Sequence, residues 1–156
     1  MIKTIVIEDE VNVREALKKM LHIIEPAIEV VAETAFVSDA VNLIKKYKPA
    51  LVFLDIELED GTGFDILNKL DNLDFNIIFT TAYNQYTIKT FKYSTINYLL
   101  KPIDPGELES ALDRTIKNIN DKKENQELLQ VLQKNHNKKA HKIVLKTTEQ
   151  RYIVVP

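Results

Sequence analysis

Short apolar, β-branched runs alternate with helix-period stretches five times along this 156-residue chain, and that alternation narrows the fold more than any other feature. The runs are Thr4–Ile7, Ile28–Ala32, Leu51–Leu54, Asn76–Thr80 and Asn97–Leu100, each close to the usual strand length of about five residues. Ile5-Val6-Ile7, Leu51-Val52-Phe53-Leu54 and Ile77-Ile78-Phe79 are apolar without alternation. A strand apolar on both faces needs helices above and below it, which means a parallel sheet. Between the runs, Val13, Leu17, Met20 and Leu21, and then Ala40, Val41, Leu43, Ile44 and Tyr47, keep the three-and-four spacing of an amphipathic helix. Thr62-Gly63-Phe64-Asp65 reads as a capping box with Asp in the usual Glu place, and Asp104-Pro105-Gly106-Glu107 as a cap followed by Pro at the first helical position. Pro26 and Pro49 each stand just past a helical pattern, where a helix should stop. Right-handed crossovers then give a doubly wound open α/β sheet of five parallel strands in the order 2-1-3-4-5.

The last helix is expected to start at Pro105, cover the sheet with Leu108, Leu112, Ile116 and Ile119, and extend to about residue 133, roughly 40 Å in all. Its continuation is polar over Asn120–Glu127 and apolar again only at Leu128, Leu129, Val131 and Leu132. That is too little heptad for a coiled coil. Lys134–Lys142 reads as a basic linker, and Ile143–Lys146 and Arg151–Val155 as two strands around Thr147-Thr148-Glu149-Gln150. Charge follows the same division: residues 1–116 carry 12 basic and 19 acidic side chains, residues 117–156 carry 9 and 4. An acidic body with a basic tail suits a regulatory domain joined to an anion-binding effector, although a solvated helix and linker would show the same asymmetry. Cysteine is absent, which excludes a disulfide scaffold, a thiol nucleophile and a thiolate metal site. His22, His136 and His141 have no metal-binding spacing. No apolar run reaches the ~18 residues of a membrane helix, and the first strand is too short for a signal peptide; the expectation is a cytoplasmic protein without membrane contact.

In such a sheet, ligands bind beyond the carboxyl ends of the strands. Glu8, Asp9 and Glu10 follow the first strand, Asp55 ends the third, Thr80 and Thr81 the fourth, and Lys101 and Pro102 follow the fifth. Strands one and three are neighbours about 4.8 Å apart, so Asp9 and Asp55 come close. Two bare carboxylates there repel each other, and a divalent cation resolves the conflict. An all-oxygen donor set suits magnesium better than zinc. With Lys101 on its other side and the Thr81 hydroxyl nearby, Asp55 is set up as a nucleophile toward a phosphoryl group, giving an acyl phosphate. Each piece alone has an ordinary explanation, because acids favour helix starts and Asp favours turns. Their order on successive strand ends is the signal.

These residues resemble the receiver domain of two-component response regulators over residues 2–119, a fold of flavodoxin-like topology. Ile5-Val6-Ile7-Glu8-Asp9-Glu10 matches the acidic-pair motif, Leu54-Asp55-Ile56-Glu57-Leu58 the phosphoacceptor strand, Gly63 the glycine opening the next helix, Thr80-Thr81-Ala82 the hydroxyl-plus-Ala signature, and Tyr98-Leu99-Leu100-Lys101-Pro102 the switch aromatic and Lys-Pro pair. The resemblance implies that Asp55 takes phosphate from a sensor histidine kinase. It implies that Asp9, Asp55 and the Glu57 backbone carbonyl hold Mg2+, for which Mn2+ could substitute, with Glu8 acting through water. Lys101 and Thr81 would meet the phosphoryl oxygens beside Ala82, Tyr98 would turn inward, and the Lys101–Pro102 peptide would be cis. The face made by the fifth strand and the helix before it is where such domains dimerise. Two departures stand out: Glu8 replaces a commoner Asp, and Glu59 stands where the family often has Pro, four residues after Asp55, with Asp60 next, adding negative charge near the site and leaving the loop without that residue's rigidity.

Thr81-Ala82-Tyr83-Asn84-Gln85-Tyr86, Phe91 and Asn97–Ile103 resemble receivers joined to LytTR-type (LytR/AlgR-type) DNA-binding domains. That implies a receiver at 1–119, a linker at 120–141, and at 142–156 the start of an output domain that would be truncated here, DNA being met through the missing part. Such a protein is a signalling phosphoacceptor rather than an enzyme. Among rivals, a flavin carrier would be repelled by Glu8-Asp9-Glu10, and the chain has no Trp for stacking. An Asp-nucleophile phosphatase would carry its Asp-x-Asp motif after the first strand, whereas Asp55-Ile56-Glu57 follows the third. An interaction module that is never phosphorylated would have no need of Asp9, Asp55, Thr81 and Lys101 together; a stand-alone receiver, which would use all four, stays open as the alternative to one joined to an output domain.

Overall fold

The computed structural model describes residues 1–82 and 97–134. Five strands, β1 Ile2–Ile7, β2 Ile28–Thr34, β3 Leu51–Asp55, β4 Asn76–Thr81 and β5 Asn97–Leu100, pair in parallel in the order β2-β1-β3-β4-β5. This is the doubly wound, flavodoxin-like sheet that the alternation predicts. Its helices are α1 Val11–Ile24, α2 Val37–Tyr47, α3 Gly63–Asn68 and α4 Pro105–Lys134. The helix expected between β4 and β5, with Tyr83, Asn84, Gln85, Tyr86 and Phe91, lies outside the described residues, as do the linker beyond 134 and the tail strands. Among the described residues no helix is long and apolar enough to cross a membrane.

Successive residues of a strand point to opposite faces, and the core divides accordingly. Ile5, Ile7, Val52, Leu54, Ile77 and Phe79 pack with Val37, Ala40 and Ile44 of α2 and Ile66 and Leu67 of α3. Val6, Leu51, Phe53, Ile78 and Leu99 pack with Leu17 and Leu21 of α1 and Leu108, Ala111 and Leu112 of α4. Each fully buried large side chain contributes roughly 1.5–3 kcal/mol, so neither face of the central strands can be left open. The non-alternating runs are thereby explained.

The helix ends follow their signals. Thr62 and Asp65 form a reciprocal capping box at α3, and the Asp104 carboxylate accepts from the Glu107 N–H at 3.0 Å. Helix α2 ends where Lys48 turns left-handed at φ 48°, its N–H on the Ile44 carbonyl at 3.0 Å, a common way for a helix to stop, and Pro49 follows where it cannot continue the helix. One expectation shifts: on α4 it is Thr115 that is buried, while Ile116 is half-buried. A 3.6 period runs 108, 111, 112, 115, 119, and the Thr115 hydroxyl is satisfied by donating to the Ala111 carbonyl at 2.8 Å.

Candidate functional site

Sheet register brings the chemistry to one rim. Ile7 pairs with Leu54, so Glu8 follows β1 level with Asp55. Asp55 pairs with Thr80 and Thr81 with Leu100, so Lys101 leaves β5 beside the same edge. The Lys101 ammonium stands between two carboxylates, 3.0 Å from Asp55 Oδ2 and 2.6 Å from Glu8 Oε1. Glu8 is 2% exposed and Asp55 3%. The second Asp55 oxygen, Oδ1, accepts from the Glu57 N–H at 3.1 Å, and Glu8 Oε2 accepts from the Glu10 N–H at 3.1 Å. The sequence reading gave Lys101 to Asp55 and kept Glu8 for a water shell. In the structure the longer Glu8 arm takes the shorter contact with the ammonium.

Two buried acids share one base, and the electrostatics follow. Burial first, then the charge and hydrogen bonding of Glu8, push the Asp55 carboxyl up to about 8 against the opposing pull of Lys101. Burial pulls Lys101 down, but its bonds to Glu8 and Asp55 outweigh that and hold the ammonium above the ordinary lysine range. Carboxylate oxygens of Glu8, Asp9 and Glu10 lie within 4.8 Å of one another, with Asp9 half-buried and Glu10 exposed. This donor set is wholly oxygen and carries more negative charge than Lys101 balances. It therefore fits a hard divalent cation.

The remaining residues singled out from sequence sit around this core. Thr81 is buried at the end of β4, its carbonyl accepting from the Lys101 N–H at 2.8 Å, and Ala82 beside it is exposed. Tyr98 is half-buried against the cluster that includes Phe79. The Lys101–Pro102 peptide is cis. Sequence reading missed Arg14, whose Nη1 donates to the Glu8 carbonyl at 2.7 Å and whose Nε lies 3.2 Å from Glu33 Oε1. Lys18, one turn further along α1, meets the same Glu33 at 2.6 Å. Two cations four residues apart facing one acid on the next strand was the available signal.

The loop after Asp55 is also more ordered than its composition suggests. Glu57–Leu58 pairs antiparallel with Gly61–Thr62, and the Gly63 N–H donates to the Ile56 carbonyl at 2.8 Å. A Cβ on Gly63 would stand 2.7 Å from the Asp55 carbonyl and 2.9 Å from Leu54 Cγ, so only glycine lets α3 start this close to β3. The negative charge of Asp60 is directed at α2: its carboxylate accepts from the N–H groups of Val37 at 2.7 Å and Ser38 at 3.3 Å.

Comparison with known proteins points the same way. The sequence profile of the response regulator receiver domain matches residues 4–113. The chain is 37% identical over 128 residues to the sensory transduction protein LytT of Bacillus anthracis, covering 81% of this chain and 50% of that protein. It is 31% identical over 156 residues to LytT of Bacillus subtilis, covering 99% of this chain and 61% of that protein. It thus spans about half to three-fifths of the length of these curated relatives. Among solved structures, the response regulatory domain of mrkE from Klebsiella pneumoniae superposes with a TM-score of 0.69 at 21% identity, covering 76% of this chain and 98% of that one. A DNA-binding response regulator of the LuxR family from Staphylococcus aureus superposes at 0.65 and 27%, covering 74% and 98%.

Proposed function

The chain belongs to the response regulator receiver domain family, and from that premise we propose that Asp55 is a phosphoacceptor, charged by a sensor histidine kinase to switch an attached DNA-binding output. One observation carries this reading: a buried carboxylate at the carboxyl end of the central strand, gripped by Lys101 on one oxygen and the Glu57 N–H on the other. That grip fixes the nucleophile before the phosphoryl donor arrives, which is how orientation lowers a barrier. An Asp55 oxygen forms the bond to phosphorus as the bond from phosphorus to the kinase imidazole nitrogen breaks, and the product is an acyl phosphate. Lys101 neutralises charge on the phosphoryl oxygens, and the Thr81 hydroxyl hydrogen-bonds one of them. Ala82, small and exposed, leaves the approach open, and Tyr98 fills the space that Thr81 vacates.

Asp9, Asp55 and the Glu57 carbonyl, with Glu8 acting through water, are the residues that would hold Mg2+ or Mn2+; the ion supplies positive charge that keeps Asp55 ionised and screens the incoming phosphoryl group. The role is that of a signalling phosphoacceptor in the cytoplasm. Likeness to LytT supports an arrangement of receiver 1–119, linker 120–141 and the opening of a LytTR-type DNA-binding domain at 142–156. Homodimerisation through the face of β5 and the helix before it is part of the same proposal. Mass spectrometry after treatment with acetyl phosphate tests the core of it. A magnesium-dependent phosphoryl adduct that disappears in Asp55→Asn is expected. An adduct that forms equally in that variant, or none at all in the parent, sinks the reading.

A further inference from the structure

A two-residue antiparallel pair is not stable in water on its own, yet Glu57–Leu58 and Gly61–Thr62 form one directly after the nucleophile. Something outside the hairpin must hold it. On the α3 side the holder is the Thr62–Asp65 box, with the Thr62 N–H on Asp65 Oδ2 at 2.8 Å. On the other side it is Asp60, at the tip of the turn. Helix α2 has no side-chain cap of its own, since its N-cap position is Phe36. Asp60 supplies one from more than twenty residues away, through the two bonds to Val37 and Ser38. Its backbone also favours this seat: Gly61 has φ +155°, and a Cβ there would meet Asp65 Oδ2 at 2.7 Å and Val37 Cγ2 at 3.2 Å. The turn is thus wedged between the first turns of two helices.

Taken with the phosphoacceptor reading, on which the inference rests, this geometry leads us to propose that Asp60 is a positioning residue for phosphoryl transfer: by latching the turn to α2, it fixes the Glu57 peptide, and through that peptide the carboxylate of Asp55. The chain of contacts is short. Asp60 holds the turn, Gly61 and Thr62 pair with Leu58 and Glu57, and the Glu57 N–H holds Asp55 Oδ1. The same latch ties the orientation of α2 to whatever happens at the nucleophile, because strain on the Glu57 peptide is carried to the Val37 and Ser38 amides. The Asp60 carboxylate is held below the usual acid range chiefly by the Val37 N–H, so it stays an acceptor at neutral pH.

Amide hydrogen exchange on the full chain, paired with initial rates of acetyl-phosphate labelling at saturating Mg2+, tests this in Asp60→Ala and Asp60→Asn. Loss of one cap should speed exchange about fivefold at Val37 and Ser38. If Asp60 positions the nucleophile, exchange at Glu57 rises too, the labelling rate falls severalfold, and Asn, which keeps an acceptor oxygen, restores most of both. Val52 and Phe53 in β3 should stay protected in each variant; should Ala expose them, Asp60→Ser replaces it as the weakened cap. Faster exchange confined to Val37 and Ser38, with Glu57 and the labelling rate unchanged, would reduce Asp60 to a helix cap and overturn the proposal, as would failure of Asn to rescue. A parent that takes no label refutes the phosphoacceptor reading instead, while exchange at Glu57 still decides the latch.

Discussion

Replacing Asp55 with Asn should make the metal-free protein more stable, and the gain should depend on pH in a defined way. The Asp55 carboxyl is raised from its ordinary 3.8 to about 8. Between those values the folded chain keeps a proton that the unfolded chain releases. Such a group contributes stability that is fully present below about pH 4 and is lost as pH rises toward 8. From pH 4 to pH 7 the loss accrues at about 1.4 kcal/mol per unit, roughly 4 kcal/mol in total. Asn is neutral throughout and escapes it, but presents one amide where Lys101 and the Glu57 N–H both need acceptors, a mismatch costing about 1 kcal/mol. The net expectation is about 2–3 kcal/mol in favour of Asn at pH 7, or roughly 5–10 °C in Tm at this chain length. Thermal and urea unfolding of both proteins in EDTA, from pH 4 to pH 8, measures it. The gap should close toward pH 4. Added Mg2+ should raise the parent more than the variant, because a ligand of the folded state stabilises it by mass action. Equal stability at pH 7, or a gap undiminished at pH 4, would refute the idea that burying this charge is what the rim costs the fold.

Gly63→Ala should lower stability by about 1–3 kcal/mol, since the added Cβ meets the Asp55 carbonyl and Leu54 at under 3 Å and a strand buried on both faces cannot yield; a urea midpoint as high as the parent's would contradict this. Thr62→Ala removes one half of the α3 capping box and should cost about 1 kcal/mol, read from the same urea titration. Lys101→Met leaves Glu8 and Asp55 facing each other without their shared ammonium; acetyl-phosphate labelling followed by mass spectrometry should fall at least tenfold, and labelling at the parent rate would show that the charge is dispensable. Arg14→Ala frees the Glu8 carbonyl and should weaken Mg2+ binding several-fold in calorimetry, with little change in labelling once Mg2+ saturates.

Much of this molecule was legible because its central strands are buried on both faces. A run such as Leu51-Val52-Phe53-Leu54 has no polar side to offer water, so it announces a central parallel strand, and three such runs among five strands that alternate with amphipathic helices leave few topologies. Capping at Thr62 and Asp104 was readable for a related reason: the bonds close within three residues. Where a reading slipped, as at Thr115 and Ile116, the two candidates lay one residue apart on the edge of a helical stripe, and only the docked angle of α4 separated them.

Local pattern determined the sheet, its order and which residues reach the rim, because strand period, helix period and capping all act over a few residues and survive without knowledge of what packs where. The tertiary structure alone decided how those residues divide their partners. Lys101 is shared between Glu8 and Asp55 across 93 and 46 residues of chain, Arg14 reaches back to the Glu8 carbonyl, and Asp60 caps a helix that begins 23 residues earlier. Hydrogen bonds and ion pairs depend on tenths of an ångström and on burial, and no spacing along the chain encodes either until the sheet has brought its strand ends together.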